Sequence, residues 1–345
     1  MSTAPETNVT WQQDGDPLDR MSDLSKHLNE QVLGQPALIE RMLISLLADG
    51  HMLVEGAPGL AKTTAVKALA EAIEADHHRI QFTPDLLPGD VTGTDVFEPE
   101  TAQFRFEPGP IFHNFVLADE INRAPAKVQS ALLEAMAERQ ITVGRHTYPL
   151  PKLFLVMATQ NPIEQEGTYS LPEAQLDRFL MYVQVGHPTA SVERDVLRLA
   201  RKQASLNGPS DETTPSIALD SSDFTPLTQQ QVLAARRGVE AVHLAPVLED
   251  YVVRLVVATR EPGPYAPELE DRIEWGASPR GTIALDRCAR ARAWLHGRDY
   301  VSPEDVHAVA PDVLRHRVLL AYAARAEGLS SDDVIAELIR SVPLP

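Results

Sequence analysis

The sequence predicts an α/β domain built on a parallel sheet, followed by a smaller all-α domain. Short apolar runs alternate with helical periodicity as far as about residue 186, and a glycine-rich turn separates the first run from the first helix. After residue 186 the pattern is helical almost to the end. Short apolar strands that alternate with helices favour a parallel sheet covered on both faces.

Individual elements follow from the same patterns. Five apolar runs are predicted to be the strands of the sheet, at 51–55, 79–82, 115–118, 153–159 and 181–185. The helices 62–74 and 125–138 are predicted between them. Two further segments, 96–106 and 141–150, alternate around a turn and are predicted to be inserted β-hairpins.

The domain boundaries are set by changes in composition. Residues 1–20 are polar and contain prolines, and we expect a flexible leader. The α/β domain then covers 21–186 and the helical domain 187–345. Within the latter, 206–228 is rich in Ser, Thr, Pro and Asp and is predicted to be a mobile connection. Ser278-Pro279 and Ser302-Pro303 are predicted to begin helices.

Composition excludes several classes of protein. A length of 345 residues favours two domains, and 31 basic against 49 acidic residues give a net charge of −18. Such a surface repels phosphate groups, so we do not expect a protein built mainly to coat nucleic acid or an anionic membrane, although a local basic element could still touch DNA. Membrane insertion is not expected either. Cys288 is the only cysteine, which rules out an intramolecular disulfide and suits the reducing cytoplasm. Since no run of about 18 apolar residues occurs, we expect a soluble cytoplasmic protein.

The turn between the first strand and the first helix carries a phosphate-binding pattern. Backbone N–H groups at a helix N-terminus face an anion there, and the lysine reaches the β- and γ-phosphates. The hydroxyl of the residue after the lysine can ligate Mg²⁺. The predicted loop consists of Gly56, Ala57, Pro58, Gly59, Leu60, Ala61, Lys62, Thr63 and Thr64. Ala61 stands where the general motif has glycine, so companion motifs decide the interpretation.

Polar residues follow two further strands. Asp119 and Glu120 end the apolar strand 115–118, at the edge where parallel sheets bind ligands. Asp119 is predicted to hold Mg²⁺ through its water shell, and Glu120 to activate the attacking water. Asn161 follows the strand 153–159 and can hold that water and the γ-phosphate. Arg280, in the first turn of a helix, opposes the helix dipole unless an anion such as an ATP phosphate lies nearby.

Together these residues resemble the MoxR family of AAA+ ATPases, from about residue 33 to residue 345. The most specific strings are QFTPDLLP from Gln81, ADEINRAP from Ala118, ATQNP from Ala158 and LPEAQLDRF from Leu171. The resemblance implies a P-loop AAA+ αβα nucleotide-binding domain with a helical lid. It also makes 96–106 the family's insertion within the second helix and 141–150 the hairpin before sensor 1.

The resemblance assigns further roles. Asn161 matches sensor 1 and Arg280 matches sensor 2, while Gly34 and Gln35 resemble the strip that packs near adenine. Arg178 sits where the arginine finger is expected. Such a finger acts on the nucleotide of a neighbouring subunit, which implies a homo-oligomeric ring, most simply a hexamer. Arg123 and Arg145 remain alternatives for the finger.

The function implied is that of an ATP-driven chaperone acting on client proteins, often proteins with von Willebrand factor A domains. ATP would order the lid against the core through Arg280, and hydrolysis would release it. One alternative is a nucleic-acid motor, for which Arg139, Arg145, His146 and Lys152 supply local positive charge. Another is a nucleotide-gated scaffold without catalysis. The cofactors implied are ATP and Mg²⁺.

Overall fold

A computed structural model describes residues 15–57, 62–162, 168–186, 189–194, 197–198, 201 and 224–345. Pro58, Gly59, Leu60 and Ala61 of the predicted phosphate loop lie outside the described residues, as does most of the predicted connection 206–228. In the described part of the chain, no helix combines the length and apolar character that a membrane span requires.

The strands are β1 (Met52–Gly56), β2 (His77–Gln81), β3 (Gly93–Glu98), β4 (Gln103–Pro108), β5 (Phe115–Asp119), β6 (Gln140–Val143), β7 (His146–Pro149), β8 (Leu155–Gln160), β9 (Met181–Val185), β10 (Ile273–Trp275) and β11 (Leu319–Leu320). Five of them form the central sheet in the order β2-β5-β8-β1-β9, and every pairing in it is parallel. The predicted parallel sheet is therefore confirmed, with each strand within a few residues of its expected bounds.

The helices are α1 (Pro17–Gln31), α2 (Pro36–Leu47), α3 (Lys62–Ala72), α4 (Pro88–Thr92), α5 (Ala126–Glu138), α6 (Glu173–Leu176), α7 (Gln229–Glu240), α8 (Pro246–Ala258), α9 (Pro279–Leu295), α10 (Pro303–Leu314), α11 (Tyr322–Ala326) and α12 (Ser331–Ser341). Helices α9 and α10 begin at the two predicted Ser-Pro pairs.

The sheet is buried on both faces because successive side chains of a strand point to opposite sides. Phe115 and Leu117 of β5 join one apolar cluster with α1, α2, α3 and the C-terminal helices. Val116 and Ala118 join a second cluster, which includes the buried side of α5. The run of apolar residues in β5 is thus the signature of a strand covered by two layers.

Both predicted hairpins form, as β3–β4 and β6–β7. They contact each other through Phe106 and Tyr148, whose rings stack with centroids 4.0 Å apart. Phe97 and Phe104 of the first hairpin are exposed, with ring centroids 5.4 Å apart. The first hairpin therefore carries a solvent-facing aromatic pair.

The structure differs in detail from two sequence predictions. Residues 17–20, predicted as part of the leader, form the first turn of α1, which buries Met21 and Leu24. Asp16 caps this helix, its side chain accepting a hydrogen bond from the Leu18 N–H at 3.0 Å. The C-terminal domain is helical as predicted, and it also contains the antiparallel pair β10–β11, which is too short to show in the sequence pattern.

Cys288 is buried within α9, as expected for a small apolar residue. Burial raises the pKa of its thiol to about 12. The thiolate needed for redox or metal chemistry is therefore suppressed at neutral pH.

Candidate active site

The carboxyl edge of the central sheet gathers the predicted catalytic residues. β1 ends at the start of the phosphate loop, β5 ends at Asp119, and β8 ends one residue before Asn161. Because β5, β8 and β1 are adjacent and parallel, these ends lie side by side. The structure thus places four predicted site residues at one edge of the sheet, as the sequence predicts: Lys62, Asp119, Glu120 and Asn161.

Lys62 is the first residue of α3, and its ammonium donates a hydrogen bond to the Gly56 carbonyl at 2.7 Å. Burial lowers the pKa of Lys62, while the carboxylates of Asp119 and Glu120 act in the opposite direction. The lysine is therefore held at the mouth of the loop, within the field of both acids. Thr63 follows it on the exposed side of α3.

The two acids of β5 are held by Thr159 of the neighbouring strand. Its hydroxyl donates to Asp119 Oδ1 at 2.6 Å and accepts from the Glu120 N–H at 2.9 Å. Glu120 itself has a left-handed backbone, with φ 59° and ψ 49°. A non-glycine residue in this region is strained, and such strain concentrates at functional sites.

Two polar residues of the edge strand β2 also reach the acids, and sequence analysis missed both. Arg79 donates to Asp119 Oδ2 from Nη2 at 2.6 Å and from Nε at 3.1 Å. Gln81 donates from Nε2 to Glu120 Oε2 at 2.8 Å. The signal was their spacing of two residues on a strand, which places both side chains on one face.

The donor set at this edge fits Mg²⁺ and a nucleotide. Hard divalent cations prefer carboxylate, hydroxyl and water oxygens, which Asp119 and Thr63 supply. Lys62 and the N-terminus of α3 supply the positive charge that phosphates need. Among the described residues, no group of three or more His, Cys, Asp or Glu could form a separate metal centre.

Gly34 and Gln35 lie at the turn between α1 and α2. Gly34 has a φ of 75°, a conformation that glycine adopts without strain, and Gln35 is the N-cap residue of α2. Their contact with adenine stays a prediction.

The amino edge of the sheet carries a second set of charges. A cavity of about 350 Å³ lies where β1 and β9 begin, beside the first turns of α9. Its charged lining consists of Asp49, Asp177, Arg139, Arg178, Arg280, Arg287 and Arg317. Five arginines against two aspartates make this cavity cationic in a chain whose net charge is −18. The cavity is therefore suited to an anion.

Arg178 and Arg280 both line this cavity. Arg178 donates from Nη1 to the Leu133 carbonyl at 3.0 Å, and Arg280 lies 3.7 Å from Asp177 Oδ2. A five-residue strand rises roughly 16 Å, which separates this edge from the phosphate loop. The structure thus brings Arg280 together with Arg178 at the amino edge, whereas Lys62 and Asp119 lie at the carboxyl edge of the same sheet. The contact of Arg280 with an ATP phosphate stays a prediction.

Arg123, an alternative for the finger, lies at the carboxyl edge. Its Nε is 3.1 Å from Glu120 Oε2 of the same chain. Arg145 occupies the tight turn of the second hairpin, where it is exposed.

A parallel sheet with a phosphate loop, two acids on the next-but-one strand and a helical lid defines a P-loop ATPase of the AAA+ class. Residues 51–181 match the model of the ATPase family associated with various cellular activities, and 267–338 match that of the AAA lid domain. The chain belongs to the MoxR family of these ATPases.

Relatives and a solved structure agree with this assignment. Chaperone MoxR1 of Mycobacterium tuberculosis is 47% identical over 91% of this chain and 79% of its own length. Protein MoxR of Paracoccus denitrificans is 38% identical over 94% of this chain and 96% of its own. A crystal structure named as that of a "putative ATPase" from Cytophaga hutchinsonii superposes with a TM-score of 0.84 at 42% identity, covering 95% of this chain and 96% of that one.

Proposed function

We propose that this chain is a Mg²⁺-dependent ATP hydrolase that works as a closed ring, most simply a hexamer, and remodels client proteins. The observation that carries the proposal is the division of charged groups between the two edges of one sheet. Lys62, Asp119 and Glu120 lie at the carboxyl edge, and Arg178 and Arg280 at the amino edge. A complete site then requires the carboxyl edge of one subunit and the amino edge of the next.

Each residue at the carboxyl edge has a separate task. Lys62 and the loop N–H groups bind the phosphates, and Asp119 with Thr63 holds Mg²⁺, which when bound neutralises charge on the β- and γ-phosphates. Glu120 orients the attacking water and accepts its proton. Asn161 holds the same water against the γ-phosphate through its amide.

The amino edge supplies positive charge to the neighbour. Arg178 stabilises the charge that develops on the transferred phosphoryl group, an effect worth about 10³-fold or more in rate. Arg280 serves the same neighbouring nucleotide, in place of the role within its own chain that the sequence suggests. The cationic cavity supports both assignments, since its arginines outnumber its acids. A movement of the lid then changes the nucleotide site of the adjacent subunit.

Client remodelling is supported by the first hairpin. Phe97 and Phe104 expose 50% and 72% of their surface, which is unusual for paired aromatic residues. Such a pair can bind an apolar segment of a partly unfolded protein. The stack of Phe106 on Tyr148 links this hairpin to the second one, which precedes the strand that leads to Asn161. Proteins with von Willebrand factor A domains are the client class that the family resemblance implies.

The test is ATPase activity per subunit over a wide range of protein concentration, with Arg178→Ala subunits mixed in. We expect activity to rise with concentration and, on mixing, to fall in proportion to the fraction of variant subunits, because each variant subunit silences its neighbour's site. Arg260→Ala, at an exposed arginine after α8, is the matched control and should leave activity unchanged. Activity that is independent of both concentration and mixing would contradict the ring.

A further inference from the structure

The magnesium-binding acid already has a cation beside it. Arg79 of β2 contacts Asp119 Oδ2 with two nitrogens, at 2.6 Å from Nη2 and 3.1 Å from Nε. The Asp119 side chain is only 14% exposed, whereas that of Arg79 is 52% exposed. A largely buried carboxylate needs a compensating charge, and an exposed arginine can supply it and leave again.

Both oxygens of Asp119 are engaged in this arrangement. Oδ1 accepts the Thr159 hydroxyl at 2.6 Å, and Oδ2 faces the Arg79 guanidinium. The lysine of the loop does not take this place, because its ammonium donates to the Gly56 carbonyl. Arg79 is therefore a cation in direct contact with the acid that the metal must use.

Arg79 also has a partner to which it can remain bound. Its Nη2 donates to Gln81 Oε1 at 2.9 Å, and Gln81 holds Glu120 through its other amide atom. Arg79 and Gln81 share one face of β2. When Arg79 leaves Asp119 it therefore loses that carboxylate but keeps its hydrogen bond to Gln81.

We propose that Arg79 is a positioning residue that takes the place of Mg²⁺ at Asp119 when nucleotide is absent, and that binding of the metal–nucleotide complex displaces it. Arg79 acts through Asp119 and touches no substrate. The inference rests on the proposed function, since it takes Asp119 as the acid that holds Mg²⁺. Its consequence is that Arg79 raises the Mg²⁺ concentration that nucleotide binding requires.

The experiment is a Mg²⁺ titration of the binding of fluorescent methylanthraniloyl-ADP, which involves no hydrolysis. Arg79→Ala is expected to lower the half-saturating Mg²⁺ concentration about two- to fivefold, the effect of losing one partly exposed ion pair. Arg79→Lys keeps the charge and should fall between Arg79→Ala and the parent. Arg105→Ala, at an exposed arginine of β4, is the matched control and should titrate like the parent.

A second measurement separates this role from a merely structural one. In EDTA without nucleotide, Arg79→Ala should unfold at a lower temperature than the parent, because Asp119 has lost its counter-charge. With saturating Mg²⁺ and ADP the two midpoints should coincide. A destabilisation that persists in Mg²⁺ and ADP would overturn the proposal.

The remaining outcomes are also decisive. An unchanged or raised half-saturating Mg²⁺ concentration for Arg79→Ala would show that Arg79 does not compete with the metal. If the parent binds the fluorescent nucleotide at saturating Mg²⁺ and only this comparison fails, the ATPase proposal stands without the role of Arg79. A parent that binds no nucleotide at any Mg²⁺ concentration would overturn both.

Discussion

Glu120 has a strained, left-handed backbone, and its carboxylate accepts a hydrogen bond from the Gln81 amide. Glu120→Gln removes the base that we propose but keeps the shape of the side chain. We expect hydrolysis to fall by about 10²-fold or more, while nucleotide affinity stays within a few fold. Phosphate release and equilibrium binding measure the two quantities. Glu134→Gln, at an exposed acid of α5, should change neither, and an equal loss of binding and hydrolysis in Glu120→Gln would refute its assignment as the base.

The buried ring of His51 makes the free energy of unfolding depend on pH. Its Nδ1 accepts from the Val156 N–H at 3.0 Å, and its Nε2 faces the Met136 carbonyl at 3.3 Å. The ring is therefore a neutral bridge with its proton on Nε2, and protonation would place a second proton against the Val156 N–H. Burial, with help from Arg139, lowers the pKa of His51 to about 3.

The sign of the effect follows from this lowered pKa. Below pH 6.5 the unfolded chain binds a proton at His51, whereas the folded chain does not bind it until about pH 3. Protonation of His51 therefore costs no stability well above pH 6.5. As the pH falls below 6.5 the free energy of unfolding decreases, by about 2 kcal/mol at about pH 5. His316, whose pKa burial also lowers, adds to the same trend. Urea unfolding should show a smaller loss on acidification for His51→Gln than for the parent, and equal losses would contradict this account.

At the residue scale, sequence reasoning found the groups that follow strands and missed those that lie along them. Asp119, Glu120 and Asn161 stand at strand ends, where the pattern changes from apolar to polar. Arg79 and Gln81 lie within an edge strand, on a face where polar residues are expected simply because it is exposed to solvent. Only the pairing of β2 with β5 brings them to Asp119 and Glu120, and that pairing is a tertiary fact.

At the scale of elements, Asp177 joins α6, α9 and the segment before β11. Oδ1 accepts from Arg317 Nε at 2.8 Å, and Oδ2 accepts from the Ser278 hydroxyl at 2.9 Å. The Arg317 side chain is 3% exposed, so removing its partner leaves a buried charge uncompensated. We expect Asp177→Ala to lower the free energy of unfolding by about 3–5 kcal/mol.

Denaturant unfolding measures this loss. Glu173→Ala, at an exposed acid of α6, is the matched control and should cost less than about 0.5 kcal/mol. A loss for Asp177→Ala no larger than that of the control would show that Arg317 finds compensation elsewhere.

The first hairpin makes a separate prediction. Phe97→Ser combined with Phe104→Ser should weaken binding to a permanently unfolded test protein, such as reduced and carboxymethylated α-lactalbumin, by about tenfold or more, because two exposed aromatic anchors are lost. Basal hydrolysis should be unchanged, since both rings are exposed on the first hairpin. Val247→Ser removes an exposed apolar residue from α8 and should affect neither property. Binding that survives the double substitution would place client contact elsewhere.

Long apolar elements could be predicted from the sequence and short ones could not. The strand at 181–185 matches β9 because an apolar run between polar segments has few other uses in an α/β domain. The pair β10–β11 has strands of three and two residues, below the length at which alternation can be recognised. Helix α1 begins within a polar stretch because only one of its faces is buried.

At the scale of the whole molecule, the division between the two edges predicts complementation. Glu120→Gln disables the carboxyl edge and Arg280→Ala the amino edge, so each variant alone should be nearly inactive. In an equal mixture, about one interface in four pairs two intact edges, and about a quarter of the parental activity should return. Steady-state ATPase measurements on the mixture test this. A mixture as inactive as its components would mean that Arg280 acts within its own chain.

The cationic cavity has a consequence for copies of this chain that have lost catalysis. A chain without Lys62 or Glu120 still carries Arg178 and Arg280 at the opposite edge. In a mixed assembly such a chain would complete the site of its neighbour while using no ATP itself. A degenerate duplicate of this protein would therefore serve as an activating subunit, and natural selection could keep its arginines long after its phosphate loop had decayed.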